Sequence, residues 1–236
     1  MGLLQLLIND PLTFVLLAIP LLYSIIFHEL AHGWVANRMG DPTARYAGRL
    51  TLNPIPHIDL FGSILVPLFS LLAAGRIFIA WAKPVPVNPW NFGNPKRDDM
   101  LVALVGPVSN LCLALACSVM VILLGTAAPA LAESSVPLLP QFWEFLMKMF
   151  YGGVYLNVVL AVFNLIPVPP LDGSHVLASF LPDELAERYR RLGFVGIFFV
   201  IMLMRVPAFN AGLGYAIDAV FSPFHALMAR FLPMVR

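Results

Sequence analysis

Long stretches without a charged side chain limit what this chain can fold into more than any motif does. Residues 11–27, 60–75, 100–132, 149–171 and 192–204 contain no Asp, Glu, Lys, Arg or His. A bilayer core of about 30 Å takes roughly 20 apolar residues as helix. Two of the runs exceed that length, and two more reach it with flanking side chains that snorkel. Sixty per cent of the 236 residues are hydrophobic and only 11% are charged, more apolar surface than a soluble domain of this size can bury. The chain therefore reads as an all-α polytopic membrane protein whose solvent is the lipid bilayer. A net charge of +1 gives nucleic acid nothing to bind. The opening Met-Gly-Leu-Leu-Gln-Leu lacks the basic region of a signal peptide, so the first apolar segment is expected to stay as a span.

Breakers and caps divide the chain. A first helix is predicted from about Leu12 to Met39, ended by Gly40-Asp41-Pro42. Residues 43–56 read as turn-rich and extended, with alternation in Arg49-Leu50-Thr51-Leu52. An apolar stretch from Ile58 to about Ala74 contains Gly62 and Pro67. The alternating prolines of 81–89 exclude helix and central strand and leave an edge strand or polyproline stretch. A long helix follows from about Asp99 to Leu124, then a loop over 125–140 and a third long helix from Gln141 to about Leu165, broken by Pro167 and Pro169-Pro170. A short polar helix near 173–190, a span near 191–206 and a helix near 213–233 complete the chain. No repeat or linker divides it, so 1–236 reads as one domain, with a core over 12–180 and C-terminal helices over 191–234.

Basic residues set the orientation. Arg38, Arg45 and Arg49 follow the first span, Lys96 and Arg97 precede the long helix, and Arg188, Arg190 and Arg191 follow the next one. Loop 125–140 has no basic residue. Placing all three basic regions inside requires 58–82 to enter and leave on one side, as a re-entrant hairpin whose backbone is covered by protein; the alternative, a single crossing at 58–75, would put the basic regions on opposite faces. About five to six transmembrane helices, that hairpin and short extended segments make up the expected fold.

The chemistry sits in His28-Glu29-Leu30-Ala31-His32. Two histidines at i and i+4 share a helical face and can bind one Zn²⁺, with Glu29 beside the metal as general base. Next to a 17-residue uncharged run, three ionisable groups are costly and need a reason. A catalytic zinc takes three protein ligands and keeps one open position. Val35 and Arg38 exclude the metzincin pattern, and no Glu occurs between Glu29 and Glu133. Asp41, His57, Asp59, Asp172, His175 and His225 remain as third-ligand candidates. Asp172 stands out, because it follows 23 uncharged residues and a proline break, with Gly173 permitting a tight turn; a plain helix N-cap is its competing role. Amides in apolar helices need partners. Asn164 is assigned to substrate or oxyanion, and Asn110 is divided between that role and interhelical bonding.

The His28–His32 motif in one span, with Asn164-Leu-Ile-Pro167 and Leu171-Asp172-Gly173 after another, resembles the site-2 protease family of intramembrane zinc metalloproteases. The resemblance runs from about residue 12 to about 180. Segments Gly48–Pro54, Trp81–Pro89 and Gly106-Pro107-Val108-Ser109-Asn110 resemble a compact prokaryotic branch, without a PDZ or nucleotide-sensing domain. It implies His28, His32 and Asp172 as ligands of one Zn²⁺, Glu29 as catalytic base and a polar role for Asn164 near the scissile bond. It also implies a transmembrane protein as substrate and a prokaryotic inner membrane, and the basic residues put the site toward the cytoplasm. His175 stands where the family often has a basic residue or Gly. The rival from another class is a non-catalytic zinc-binding transporter or pseudoprotease scaffold, which has no need of the Glu29 carboxylate.

Overall fold

The computed structural model describes residues 11–59, 62, 65, 83–132, 136–193 and 195–232. Among them, helix accounts for nearly all regular structure: α1 (Pro11–Arg38), α2 (Thr43–Tyr46), α3 (Pro95–Ala132), α4 (Leu139–Asn164), α5 (Asp172–Phe180), α6 (Asp183–Arg190), α7 (Val195–Leu203) and α8 (Pro207–Phe231), with 3₁₀ turns at Ile55–His57 and Pro89–Asn91. Helices α1, α3 and α4 are long and apolar enough to cross a membrane. They pack on one another as a three-helix core, with α5 against α3 and α8 along α3 and α4. Only 17–28% of the residues in their most apolar windows are buried. Leu17, Leu22, Leu115, Leu123 and Phe198 point outward, which water would penalise and lipid does not.

Two apolar clusters fix the bundle. Ala114, Val121, Val154, Val158, Met228 and Leu232 join α3, α4 and α8 at one end. At the other, Ala36, Phe92 and Val102 tie the end of α1 to the start of α3, with Met39 and Val87 packed against them. Helix α1 stops at Gly40, whose φ of 106° lets the Asp41 N–H return to the Ala36 carbonyl at 2.9 Å. This is the six-to-one bond of a Schellman end.

Several boundaries differ from expectation. Helix α3 runs to Ala132 through part of the expected 125–140 loop, because Thr126-Ala127-Ala128 continues the helix well. Residues 43–56 form no strand. Thr51 Oγ1 accepts the Asn53 N–H and the Asn53 side chain accepts the Ile55 N–H, each at 3.1 Å, bending the backbone into local turns. The polar 173–190 helix is two helices, since Leu181 precedes Pro182 and takes an extended conformation (φ −86°, ψ 151°). The expected 191–206 span is the nine-residue α7, which turns by 91° into α8 where Val206 precedes Pro207. The described residues thus hold three spans, or four if α7 and α8 form one broken span. The expected hairpin at 58–82 lies almost wholly outside the described residues.

Candidate metal centre

The metal-binding geometry begins one helical turn apart on α1. His28 and His32 are both buried, and each imidazole is held from behind. The His32 Nδ1–H donates to the Val102 carbonyl at 2.6 Å, and the His28 Nδ1–H to Asn110 Oδ1 at 3.1 Å; both acceptors lie on α3. With each proton fixed on Nδ1, the Nε2 lone pairs face forward, and they lie 3.0 Å apart. Asp172, at the start of α5, sets its carboxylate 3.1 Å from His28 Nε2 and 3.4 Å from His32 Nε2.

Two lone pairs and a carboxylate at this separation repel unless a cation lies among them. Asp172 Oδ2 is buried with no hydrogen-bond donor. Tetrahedral bonds of about 2.0–2.1 Å put ligand atoms roughly 3.3 Å apart, which matches the spacing seen. His28, His32 and Asp172 are the group of three such ligand atoms found together among the described residues. The donor set of two imidazoles and a carboxylate suits Zn²⁺.

Two glycines permit the approach. A Cβ on Gly106 would lie 2.4 Å from His32 Nε2 and 2.6 Å from His28 Cε1, inside the space the imidazoles occupy. A Cβ on Gly173 would lie 2.2 Å from the Leu165 carbonyl oxygen, so only glycine lets α5 start this close to the end of α4.

Glu29 opens on the same cavity, of about 320 Å³, which His28, His32, Asn164, Asp172 and His175 also line. Its Oε2 accepts the Val85 N–H at 2.7 Å. That amide belongs to the extended 83–88 segment, which is held throughout. The Lys83 N–H donates to the His57 carbonyl at 2.9 Å, and Arg49 donates to the Lys83 carbonyl at 2.5 Å. The Asn88 N–H donates to Asp41 at 2.7 Å. Fully buried Asp41 also accepts from the Asn91 amide at 2.7 Å, and from the Thr43 N–H and hydroxyl. Burial opposes its charge, but the Thr43, Asn88 and Asn91 donors outweigh it and hold the carboxyl below the usual range.

None of the other third-ligand candidates joins His28, His32 and Asp172. Asp41 anchors the 83–91 segment, and Asp59 accepts the Gly62 N–H at 2.6 Å. His57 donates to the Thr51 carbonyl at 3.0 Å. His225 packs on Phe221 within α8 at 5.9 Å. His175 reaches the cavity but gives its Nδ1 to Asp99, at 3.1 and 3.2 Å from the two carboxylate oxygens. Asn164 lines the cavity and donates to the Leu160 carbonyl at 3.0 Å. Asn110 is buried behind His28. Reasoning from sequence missed the Val102 carbonyl and the Val85 amide, which no side-chain pattern encodes. It also missed Asp99, whose neighbours Lys96, Arg97 and Asp98 make it look like one more interfacial charge.

Comparison with known proteins agrees with this geometry. A Bacillus subtilis protein provisionally named zinc metalloprotease YwhC is 38% identical over 224 residues, covering 92% of this chain and 94% of its own. Rip2 of Mycolicibacterium smegmatis, likewise provisionally named a zinc metalloprotease, is 30% identical over 84% of this chain and 69% of its own. The similarly named MJ0611 of Methanocaldococcus jannaschii is 27% identical over 70% and 71%. No solved structure matches. Residues 16–204 match the family model of peptidase family M50, and the chain belongs to that family, the site-2 proteases.

Proposed function

We propose that this zinc metalloprotease cuts peptide bonds in or near a transmembrane segment of a membrane protein, with His28, His32 and Asp172 holding zinc and Glu29 as catalytic base. The observation that carries this reading is the meeting of the two Nε2 atoms and the Asp172 carboxylate in a cavity that Glu29 also lines. Zinc bound there supplies Lewis-acid chemistry toward water and the amide carbonyl. Glu29 keeps one carboxylate oxygen on the Val85 amide and has the other to take the proton of the attacking water. It then passes that proton to the leaving nitrogen. A non-catalytic zinc carrier would use that carboxylate only to hold the Val85 amide and would have no use for its second oxygen beside the metal ligands.

The substrate has to arrive unwound, because a helix buries its own amides. Segment 83–88 supports a place for it. Its N–H groups at 83, 85 and 88 are all engaged, and Pro84 and Pro86 have none. An added strand therefore meets carbonyl acceptors there but few donors. Asn164 keeps a second amide hydrogen for the substrate or the oxyanion. For Asn110 the geometry favours steadying His28 over meeting substrate.

The same reading puts the protein in a prokaryotic inner membrane with the site toward the cytoplasm. Its support is that Arg38, Arg45, Arg49, Lys96, Arg97, Arg188, Arg190 and Arg191 follow α1 and α4 or open α3, the ends that meet at the metal centre. The hairpin belongs to this proposal too. The Lys83-to-His57 hydrogen bond brings the two ends of 58–82 together, and 25 residues are too few for two full crossings of roughly 20 each. Five to six membrane-embedded segments follow if that hairpin and the bent α7–α8 pair are counted. The direct test reconstitutes the protein in vesicles with a single-span test peptide. Cleavage that a zinc chelator abolishes and added zinc restores is expected; cleavage indifferent to chelation contradicts the reading.

A further inference from the structure

Beside the metal centre lies a second polar constellation that the proposed reaction has not used. Asp99, in the second turn of α3, is 4% exposed. It accepts from His175 Nδ1 on both oxygens, at 3.1 and 3.2 Å, and from Arg190 at 3.1 Å. Three elements, α3, α5 and α6, each contribute one member. Asp99 and His175 both line the cavity that contains Glu29 and Asp172.

The arrangement exceeds what docking requires. Helix α6 already meets α3 through Arg190 with Asp99 and through Lys96 with Asp183 at 2.7 Å. Unlike Arg190, Lys96 and Asp183, the His175 side chain also lines the reaction cavity. With Nδ1 committed to Asp99, Nε2 is the ring nitrogen left for the cavity. His175 also follows Asp172 by three residues on one helix, so the two side chains project from the same face. A histidine oriented by a buried carboxylate, with its far nitrogen open to a reaction cavity, is an aimed hydrogen-bonding group, and that nitrogen donates when both ring nitrogens carry a proton. Arg190 and Asp99 together offset each other's charge, so an imidazolium at His175 leaves the cluster one positive charge toward the cavity.

We propose that His175 is a second catalytic residue of the hydrolysis. With one ring proton on Nδ1 toward Asp99 and a second on Nε2, His175 donates the Nε2–H to the scissile carbonyl oxygen as that oxygen gains negative charge, while Asp99 and Arg190 act as positioning residues. No proton changes hands at His175. Water oxygen bonds to the carbonyl carbon and the π pair moves to the carbonyl oxygen, where the His175 hydrogen bond shortens. The pair returns as the C–N bond breaks, and the leaving nitrogen takes its proton from Glu29. The inference rests on the protease reading, and the test separates the two.

Differential binding is the property to measure, since a donor of this kind acts on the transition state and not on the ground state. The probes are the single-span test peptide and its analogue with a phosphinate in place of the scissile amide. Loss of one oxyanion donor costs about 10²–10³-fold in kcat. His175→Ala is expected to lose kcat by about that factor with KM and zinc content unchanged. It should weaken phosphinate binding by a comparable factor, while the unmodified peptide binds equally well when each variant also carries Glu29→Gln. His175→Gln, which keeps an N–H, should recover part of both losses. Asp99→Asn should lose about 10-fold in kcat at constant KM. A His175→Ala protein that cleaves and binds phosphinate like wild type overturns the inference alone. So does one that loses zinc, or one that loses affinity for both peptides equally. Wild-type protein that neither cleaves nor prefers the phosphinate overturns the protease reading with it.

Discussion

At the metal centre a few ångströms of backbone placement matter as much as ligand identity. Removal of Asp172 leaves two imidazoles, so Asp172→Ala should bind zinc far more weakly than wild type by metal analysis of purified protein. Full zinc occupancy in Asp172→Ala, with loss in His175→Ala, would move the third ligand to His175. Gly106→Ala places a methyl 2.4 Å from His32 Nε2. It should weaken zinc binding by at least 10-fold, and Asn110→Ala, which frees His28 Nδ1, by about 10- to 100-fold. A competition titration with a chromophoric chelator measures both, and unchanged affinity would show that the imidazoles find their place without that support. The proposed ligand pair and base stood out in the sequence because i, i+4 spacing on a helix is a geometric statement. Their supports did not: the Val102 carbonyl is backbone, and Gly106 matters through the space it leaves empty.

Helix α1 and the 83–91 segment form a unit whose hinge is Asp41. Asp41 collects donors from Thr43, Asn88 and Asn91, and Glu29 takes the Val85 amide. One carboxylate clamps the segment, and the other holds its Val85 amide and is the proposed base. Buried hydrogen bonds to a charged group are worth about 1.5–3 kcal/mol each, so Asp41→Ala should destabilise the protein by about 3 kcal/mol in detergent melts. Its turnover should fall without loss of zinc. Because the Asp41 carboxyl is held below its ordinary value, its contribution is complete above about pH 4. It is lost as pH falls further through the folded value. The acid limb of the stability curve should therefore flatten in Asp41→Asn, and an unchanged limb would count against the clamp. The sequence read 81–89 as an edge strand or polyproline stretch, which prolines at 84, 86 and 89 dictate. It could not show that Asp41, a candidate ligand by type, faces the segment and not the metal. Boundaries were misplaced where local residues decide: α7 ends early ahead of Val206 and Pro207, and α3 runs long through an alanine-rich stretch.

Across the whole molecule, apolar runs gave the spans of α1, α3 and α4 to within a few residues, except at the two ends of α3. Charge asymmetry pointed to a common side for the basic regions. Single cysteines at Arg45 and Asn94, in a background lacking Cys112 and Cys117, should both react with an impermeant thiol reagent only after the inner face is opened. Labelling from opposite faces would refute the hairpin. Hydrolysis inside the bilayer by Glu29 at a zinc site is tested by removing only the base. Wild-type and Glu29→Gln proteins, loaded to equal zinc content in vesicles, are given the single-span test peptide, and fragment masses and rates are read by mass spectrometry. The account predicts wild-type fragments that end within or beside the span, and a Glu29→Gln rate lower by about 10²–10⁴-fold. Equal rates from the two proteins, or fragments cut only in soluble flanks far from the span, would contradict it.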